Sequence, residues 1–479
     1  MDIGSILETA FHPNAIAVAG ASETSSSYGY HFTRYLLDHG YPGHVYPVNP
    51  NRQVVLGLKA YPDLTSIPEP VDYVICCLPA SKVLDLLSEC PAKGVKVVHL
   101  LTARLSETGR QEAKDLEAEI LQQAKRVNVR LIGPNCMGIY YPQQGMAFNY
   151  DLPKEAGTVG AVFQSGGASG LLVRYGGLQG LRFSKVISYG NALDLDESDF
   201  LRYLAHDGET RIIAAYIEGV KDGKKFLNAL SNAAHAKPVV IIKGGRDIAG
   251  IKAAASHTAA IAGSDIMWKT AFKQAGVIQA RTLNELVNLL VAFSFLPPIK
   301  GKRVGIVGGG GGISVMSADA CEEAGLIVPP LPPEIDEELR TRAPELHAWL
   351  GNPVDCSTIR GSSIDAREML ARMAQSPYFD FIIVNITEDA PFTKDIWSSL
   401  VREEAENTIS VSGGQSKPLV AVVSGGKISS DQFQDWRWKL LAEQQTRLIA
   451  AHIPTYSTVA EAVKTMRQFI DYWQAKAAT

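Results

Sequence analysis

The segment AAASHTAAIAGSD, residues 253–265, sets one histidine, His257, among alanines, glycines and small hydroxyls. Such a stretch brings little apolar surface to a core, so chemistry competes with packing as the reason for the imidazole. A metal site needs further ligands at HxH or HxxxH spacing, and none is present. A serine hydrolase needs a GxSxG elbow, which FQSGG does not provide. A phosphoryl-carrying histidine asks for a neutral ring nitrogen as nucleophile, donors for the phosphate, and a carboxylate on the other ring N–H. Glu218, at the end of the apolar run AAYIEGV, is the candidate carboxylate. The competing readings are a surface or core histidine and a solvated strand-end acid.

Two glycine-rich turns could supply the donors. VFQSGGASGLL (162–172) and VGGGGGISVMSADACEEAG (307–325) each run from apolar strand through glycine and serine into a helical pattern. Backbone N–H groups converge on an anion there, and the helix dipole adds to the attraction. The candidate phosphate-binding residues are Gln164, Ser165, Gly166 and Gly167 in the first turn and Gly310, Gly311 and Gly312 in the second. Neither turn carries the GK[ST] of a Walker A loop, and tight helix–sheet packing is the alternative for both. A third turn, IAVAGASETSSSYG (16–29), offers Gly20, Ala21, Ser22 and Ser25 ahead of a helix. It lacks GxGxxG, and Asn49 stands where a dinucleotide site has its acid, which disfavours nicotinamide hydride chemistry. RLIGPNCMGIYYP (130–142) puts Asn135 and Cys136 on a loop after a strand; a small buried thiol is the alternative for Cys136.

The elements that would position these residues are short apolar runs alternating with helical patterns. NAIAVAGAS, HVYPVNP, YVICCLP, VKVVHLL and VRLIGPN form a first block. TVGAVFQ, LRFSKVISYG, RIIAAYIEG and KPVVIIKGG form a second. RVGIVGGGG, GLIVPPL, FDFIIVNIT, KPLVAVVSGG and HIPTYST form a third. That alternation predicts βαβ units and parallel sheets, with ligand sites at the carboxyl ends of strands. The expected fold class is α/β in three parallel-sheet domains: a Rossmann-like domain over 1–145, a flavodoxin-like domain over 146–298 carrying the histidine loop, and a second flavodoxin-like domain over 299–479. A chain of 479 residues fits about three domains at roughly 100–200 residues each.

Composition narrows the function classes. Hydrophobic residues make up 46% and charged residues 20%, and the net charge is −4 without a dense Lys/Arg run, so no nucleic-acid partner is expected. MDIGSILETAFHP lacks a basic start and a long apolar core, and no apolar run reaches the ~18 residues of a membrane span. Six scattered cysteines form no framework. The expectation is a reduced, cytoplasmic protein with no membrane association and no structural metal.

Taken together, the motifs resemble the α-type part of the NDP-forming acyl-CoA synthetases, which are related to succinyl-CoA synthetase. SHTAAIAGSD (256–265), the QSGG turn (164–167), SYGNALDLD (188–196), YIEG (216–219), GPNCMG (133–138) and GNPVD (351–355) carry the resemblance over almost the whole chain. It implies that His257 is a phosphohistidine supported by Glu218 and that the two glycine turns grip its phosphate. It implies that Gly20, Ala21, Ser22 and Ser25, with Asn49 and Pro50 after the second strand, Pro79 after the third, and Asn135 and Cys136, contact coenzyme A. It implies reversible conversion of acid, CoA and ATP to acyl-CoA, ADP and phosphate, through an acyl phosphate. No ATP-grasp segment is recognised, so ATP/ADP and Mg²⁺ are expected on a separate β-type subunit of a hetero-oligomer. The family's GFxE reads ARLSE at 103–107, where Arg104 and Leu105 replace Gly-Phe near the acyl pocket, so an unusual carboxylic acid is in view. A non-catalytic CoA-binding regulatory or scaffold protein of the same fold is the alternative, and a Rossmann oxidoreductase the more distant one.

Overall fold

The computed structural model describes residues 2–247, 249–250, 265–347, 349–359, 363–386, 392–413, 416–424 and 435–478. The chain divides into two compact units, residues 1–290 and 291–479.

The first unit opens with α1 (Ile3–Phe11), β1 (Ala15–Ala19), α2 (Tyr28–Asp38), β2 (His44–Val48), a small antiparallel hairpin of β3 (Val54–Val55) and β4 (Leu58–Lys59), β5 (Tyr73–Cys76), α3 (Val83–Lys93), β6 (Val97–Leu100), α4 (Gln111–Arg126) and β7 (Arg130–Ile132). Strands β1, β5 and β6 are buried along their whole length. Runs apolar on both faces make central parallel strands covered by helices on each side. The five strands lie parallel in the order β2-β1-β5-β6-β7, so the direction of winding reverses between β1 and β5.

The chain then crosses to a second sheet through β8 (Gly138–Tyr140). It continues with β9 (Ala156–Phe163), α5 (Gly166–Leu178), β10 (Phe183–Ser188), α6 (Glu197–His206), β11 (Ile212–Ile217), α7 (Gly223–Ala236), β12 (Val239–Lys243), a helix at Asp265–Ala275, β13 (Ile278–Ala280) and a helix at Leu283–Phe295. The order is β13-β12-β11-β9-β10-β8, with β8 antiparallel to β10 at the edge and the rest parallel. Each fully buried Val, Ile or Leu in these strands contributes about 1.5–3 kcal/mol; β12 supplies Val239, Val240 and Ile241, β11 Ile213 and Ile217, and β10 Val186 and Ile187.

The second unit carries four parallel strands in chain order, β14 (Val304–Gly308), β15 (Phe381–Asn385), β16 (Leu419–Val422) and β17 (Thr455–Tyr456). One expected strand does not form. In GLIVPPL only Ile327 makes an isolated parallel bridge, to Arg303. Pro329, Pro330 and Pro332 follow, and residues without N–H groups cannot continue a ladder.

Candidate functional site

At the carboxyl edge of the first sheet the turn after β1 is built as a cradle. Gly20 has φ +87°, and a Cβ there would lie 3.2 Å from the Cys77 backbone. Gly20 and Ala21 both donate N–H to Val48 O, and Asn49 Nδ2 donates to Ala21 O at 2.7 Å. Asn49 therefore holds the turn shut where a dinucleotide fold has its ribose-binding acid. Ser22 Oγ accepts from Thr24 N, and Ser27 caps α2 by accepting from Tyr30 N. Ser25 and Pro50 are exposed beside this turn, and Pro79 is exposed on the next loop, after β5. Gly29, which the sequence reading did not single out, matters as much. A Cβ on it would sit 1.9 Å from Gly20 O, so only glycine lets α2 pack this close to the turn. A hydroxyl-lined helix N-terminus of this kind suits a phosphate.

The GPNC loop continues this edge. Asn135 has φ +58° and donates N–H to Thr102 O. Cys136 instead packs inward. It is 3% exposed, its Sγ donates to Leu100 O, and burial pushes its thiol up to about 12. Beneath it His99, buried and held neutral by desolvation with its pKa down to about 4, donates Nε2–H to Cys136 O at 3.0 Å. In this conformation Cys136 presents backbone, not sulfur, to the edge.

In the second sheet β9, β11 and β12 end side by side. Gln164 is 6% exposed, and its Oε1 accepts from Glu218 N at 2.7 Å and Gly219 N at 3.2 Å. Its carbonyl thus fixes the backbone under Glu218 rather than facing an anion. Ser165 caps α5: its Oγ takes Ala168 N–H and its carbonyl takes Ser169 N–H. Among the described residues, the N–H groups of Gly166 and Gly167 are the donors left without a partner at this opening. Glu218 is half-buried, and the Tyr216 hydroxyl bonds to it. Burial first, then that carboxylate, raises Tyr216 to about 12. Lys243, 2% exposed, donates to the carbonyls of Glu218 (2.7 Å), Gly245 (3.3 Å) and Gly244 and lies 5.1 Å from the Trp268 ring centre. Burial depresses its pKa. Sequence reasoning missed this clamp, because a lysine closing a strand reads as a solvated end.

His257 lies outside the described residues. In sequence it stands between β12 and the helix at Asp265–Ala275, and β12 pairs with β11, after which Glu218 follows.

The SYGNALDLD segment lashes the two sheets of this unit together. Asp194 accepts Arg130 Nε (2.7 Å), Arg130 Nη2 (2.9 Å) and Leu131 N (2.9 Å). Asn191 donates its N–H to Pro134 O and its side-chain amide to Glu107, and Ser188 Oγ accepts from Met137 N. A Cβ on Gly166 would lie 2.7 Å from Met137 Cγ. The edge of the first sheet therefore runs directly into the α5 opening.

In the second unit, Gly311 begins the helix Gly311–Glu323 with Gly310 as its N-cap, and no side chain caps it. Gly312 has open space where a Cβ would stand, but Asp355 Oδ2 lies 3.3 Å from the Cβ position of Gly311. An anion at this opening would meet a carboxylate of the GNPVD segment.

Comparison with known proteins agrees with this anatomy. Residues 14–142 match a CoA binding domain, 156–293 a succinyl-CoA ligase like flavodoxin domain, and 304–433 a ligase-CoA domain. The chain is 34% identical to the acetate–CoA ligase [ADP-forming] I subunit alpha of Pyrococcus furiosus, over 98% of this chain and 99% of that one. It is 37% identical to the acetate–CoA ligase [ADP-forming] of Methanocaldococcus jannaschii, over 72% of this chain but 48% of that longer protein. The dinucleotide forming acetyl-coenzyme A synthetase 1 of Ca. Korarchaeum cryptofilum, solved with phosphate and ADP, superposes with a TM-score of 0.79 at 28% identity, covering 99% of each chain. The chain belongs to the ADP-forming acetyl-CoA synthetase family, as an alpha-subunit-like ligase chain.

Proposed function

We propose that this chain is the CoA-binding, histidine-phosphorylated subunit of an ADP-forming acyl-CoA synthetase and works with a separate ATP-grasp subunit that holds ATP/ADP and Mg²⁺. The observation that carries the reading is the continuity of one edge. The cradle at Gly20–Ser27 leads past the GPNC loop to the free N–H groups of Gly166 and Gly167, with Glu218 held beside them through Gln164. Phosphate attacking an acyl-CoA at that junction expels CoA thiolate and leaves an acyl phosphate. The His257 imidazole then takes the phosphoryl group and releases the carboxylate, and ADP on the partner accepts the phosphoryl group to give ATP. Glu218, hydrogen-bonded to Tyr216 and pinned by Lys243, orients the imidazole through its second ring N–H. The matched relatives support the partner. Full correspondence is with a protein named subunit alpha, whereas the chain spans about half of a relative named as the ligase itself.

The test mixes the chain with its ATP-grasp partner, Mg²⁺ and γ-labelled ATP and follows acid-labile label. Label present in wild type and lost in His257→Ala supports the assignment. Undiminished label in His257→Ala gives the role to another residue, and CoA binding without any labelling favours the regulatory alternative.

A further inference from the structure

The loop after β6 carries a cation that the reaction as described leaves idle. Arg104 has φ +68°, a left-handed backbone that glycine adopts freely and arginine does not. The turn is locked around it. Leu105 is fully buried, and the N–H groups of Arg104 and Leu105 both donate to the Glu107 carboxylate, which also accepts from Asn191 Nδ2 at 3.2 Å. Glu107 is thus taken up by N–H donors. The Arg104 guanidinium is exposed and makes no ion pair among the described residues. Lys221, by contrast, spends its ammonium on Ala192 O at 2.6 Å.

Arg104 is one of three left-handed non-glycine residues gathered in one hydrogen-bonded knot. The others are Asn135 (φ +58°) and Ala192 (φ +52°). Asn135 N bonds Thr102 O, and Asn191, next to Ala192, bonds Pro134 O. Backbone conformations of this cost persist where the surroundings over-determine them, commonly at ligand sites.

Topology says which part of a ligand meets this knot. In an open parallel sheet the nucleotide lies at the point where winding reverses, here between β1 and β5. The loops after β6 and β7 lie further along the same edge and touch the second sheet at Ser188 and Asn191. A CoA whose nucleotide occupies the reversal and whose thiol reaches the α5 opening passes its thioester end beside the 102–107 loop.

We propose that Arg104 is a specificity-determining residue that recognises a second carboxylate, at the far end of the acyl group, so that the preferred substrates are acids with an anionic tail. This rests on the CoA-binding reading above. The test is calorimetric titration of the full chain with CoA, valeryl-CoA and glutaryl-CoA; the two thioesters match in length and differ by the terminal carboxylate. One charge-assisted contact predicts that glutaryl-CoA binds tighter than valeryl-CoA by roughly 10- to 100-fold. Arg104→Asn, which tolerates the left-handed backbone, abolishes the difference, and Arg104→Lys keeps part of it. CoA itself binds all three proteins alike. Equal binding of the two thioesters to wild type, or loss of CoA affinity along with glutaryl-CoA affinity in Arg104→Asn, overturns the proposal while the CoA-binding reading of the wild-type chain stands. Failure of all three ligands to bind wild type removes the CoA reading and the proposal with it.

Discussion

Glu197 sits in the first turn of α6, inside the segment that joins the two sheets of the first unit, and is 3% exposed. A helix N-terminus favours a carboxylate by about 0.3–1 kcal/mol. Burial works the other way and prevails: with Asp196 alongside, it lifts the Glu197 pKa from 4.5 to about 8. Asp196, Asp199 and Lys225 face it, and Lys221 and Tyr189 approach from the neighbouring segments. The sign follows from linkage. The folded chain holds a proton that the unfolded chain releases above pH 4.5, so stability is complete below that pH and falls as pH rises toward 8. The full window amounts to about 5 kcal/mol, of which about 3 kcal/mol is already lost at pH 7. Glu197→Gln keeps the shape and removes the titration. Urea midpoints of wild type and variant are compared at several values between about pH 5 and about pH 8. The variant is expected to gain on wild type by about 3 kcal/mol across that range. A difference that stays constant with pH would show that Glu197 is ionised in the fold and refute the reasoning.

Two further outcomes follow from contacts on the first sheet. Gly29→Ala places a methyl 1.9 Å from Gly20 O, so α2 must withdraw; overpacking of this kind costs about 1–3 kcal/mol or more, and CoA affinity measured by titration should fall at least about tenfold. Unchanged CoA affinity would detach the cradle from the ligand. Asp194→Ala strands Arg130 and the Leu131 N–H together, and a loss of about 2–4 kcal/mol in urea unfolding is expected; a loss under about 0.5 kcal/mol would mean the pair is a solvated surface contact.

The alternation of apolar runs and helical patterns was enough to read the parallel sheets, because strands buried on both faces leave a clear trace: β1 and β5 are apolar throughout, and β6 and β12 each carry one polar residue, His99 and Lys243. Where the trace failed, the cause was local. GLIVPPL is as apolar as its neighbours, but its prolines remove the donors a ladder requires. The three-residue β8 is too short to show a period, and its antiparallel pairing depends on β10, far along the chain. Among site residues, the glycine turns were legible because φ > 0 and close approach restrict residue type. The supports were not. Gly29, His99 and Lys243 act through partners distant in sequence, at Gly20, Cys136 and Glu218.

The same distinction changes how the family's motifs are understood. SYGNALDLD reads as chemistry because it is polar and glycine-containing, yet Asn191, Asp194 and Asp196 are each committed to structure: a tie to Glu107, a fork on Arg130, and the cap of α6. Gln164 likewise spends its carbonyl on the backbone of Glu218. Such residues act by fixing distance. In the proposed function they hold the edge assigned to CoA against the opening of α5, so that the thioester end of one ligand and a phosphate at Gly166 and Gly167 would meet without either sheet reorganising. Mutations in these ties should therefore lower turnover in step with stability, whereas loss of Glu218 or His257 should abolish phosphoryl transfer in a chain that still folds and binds CoA.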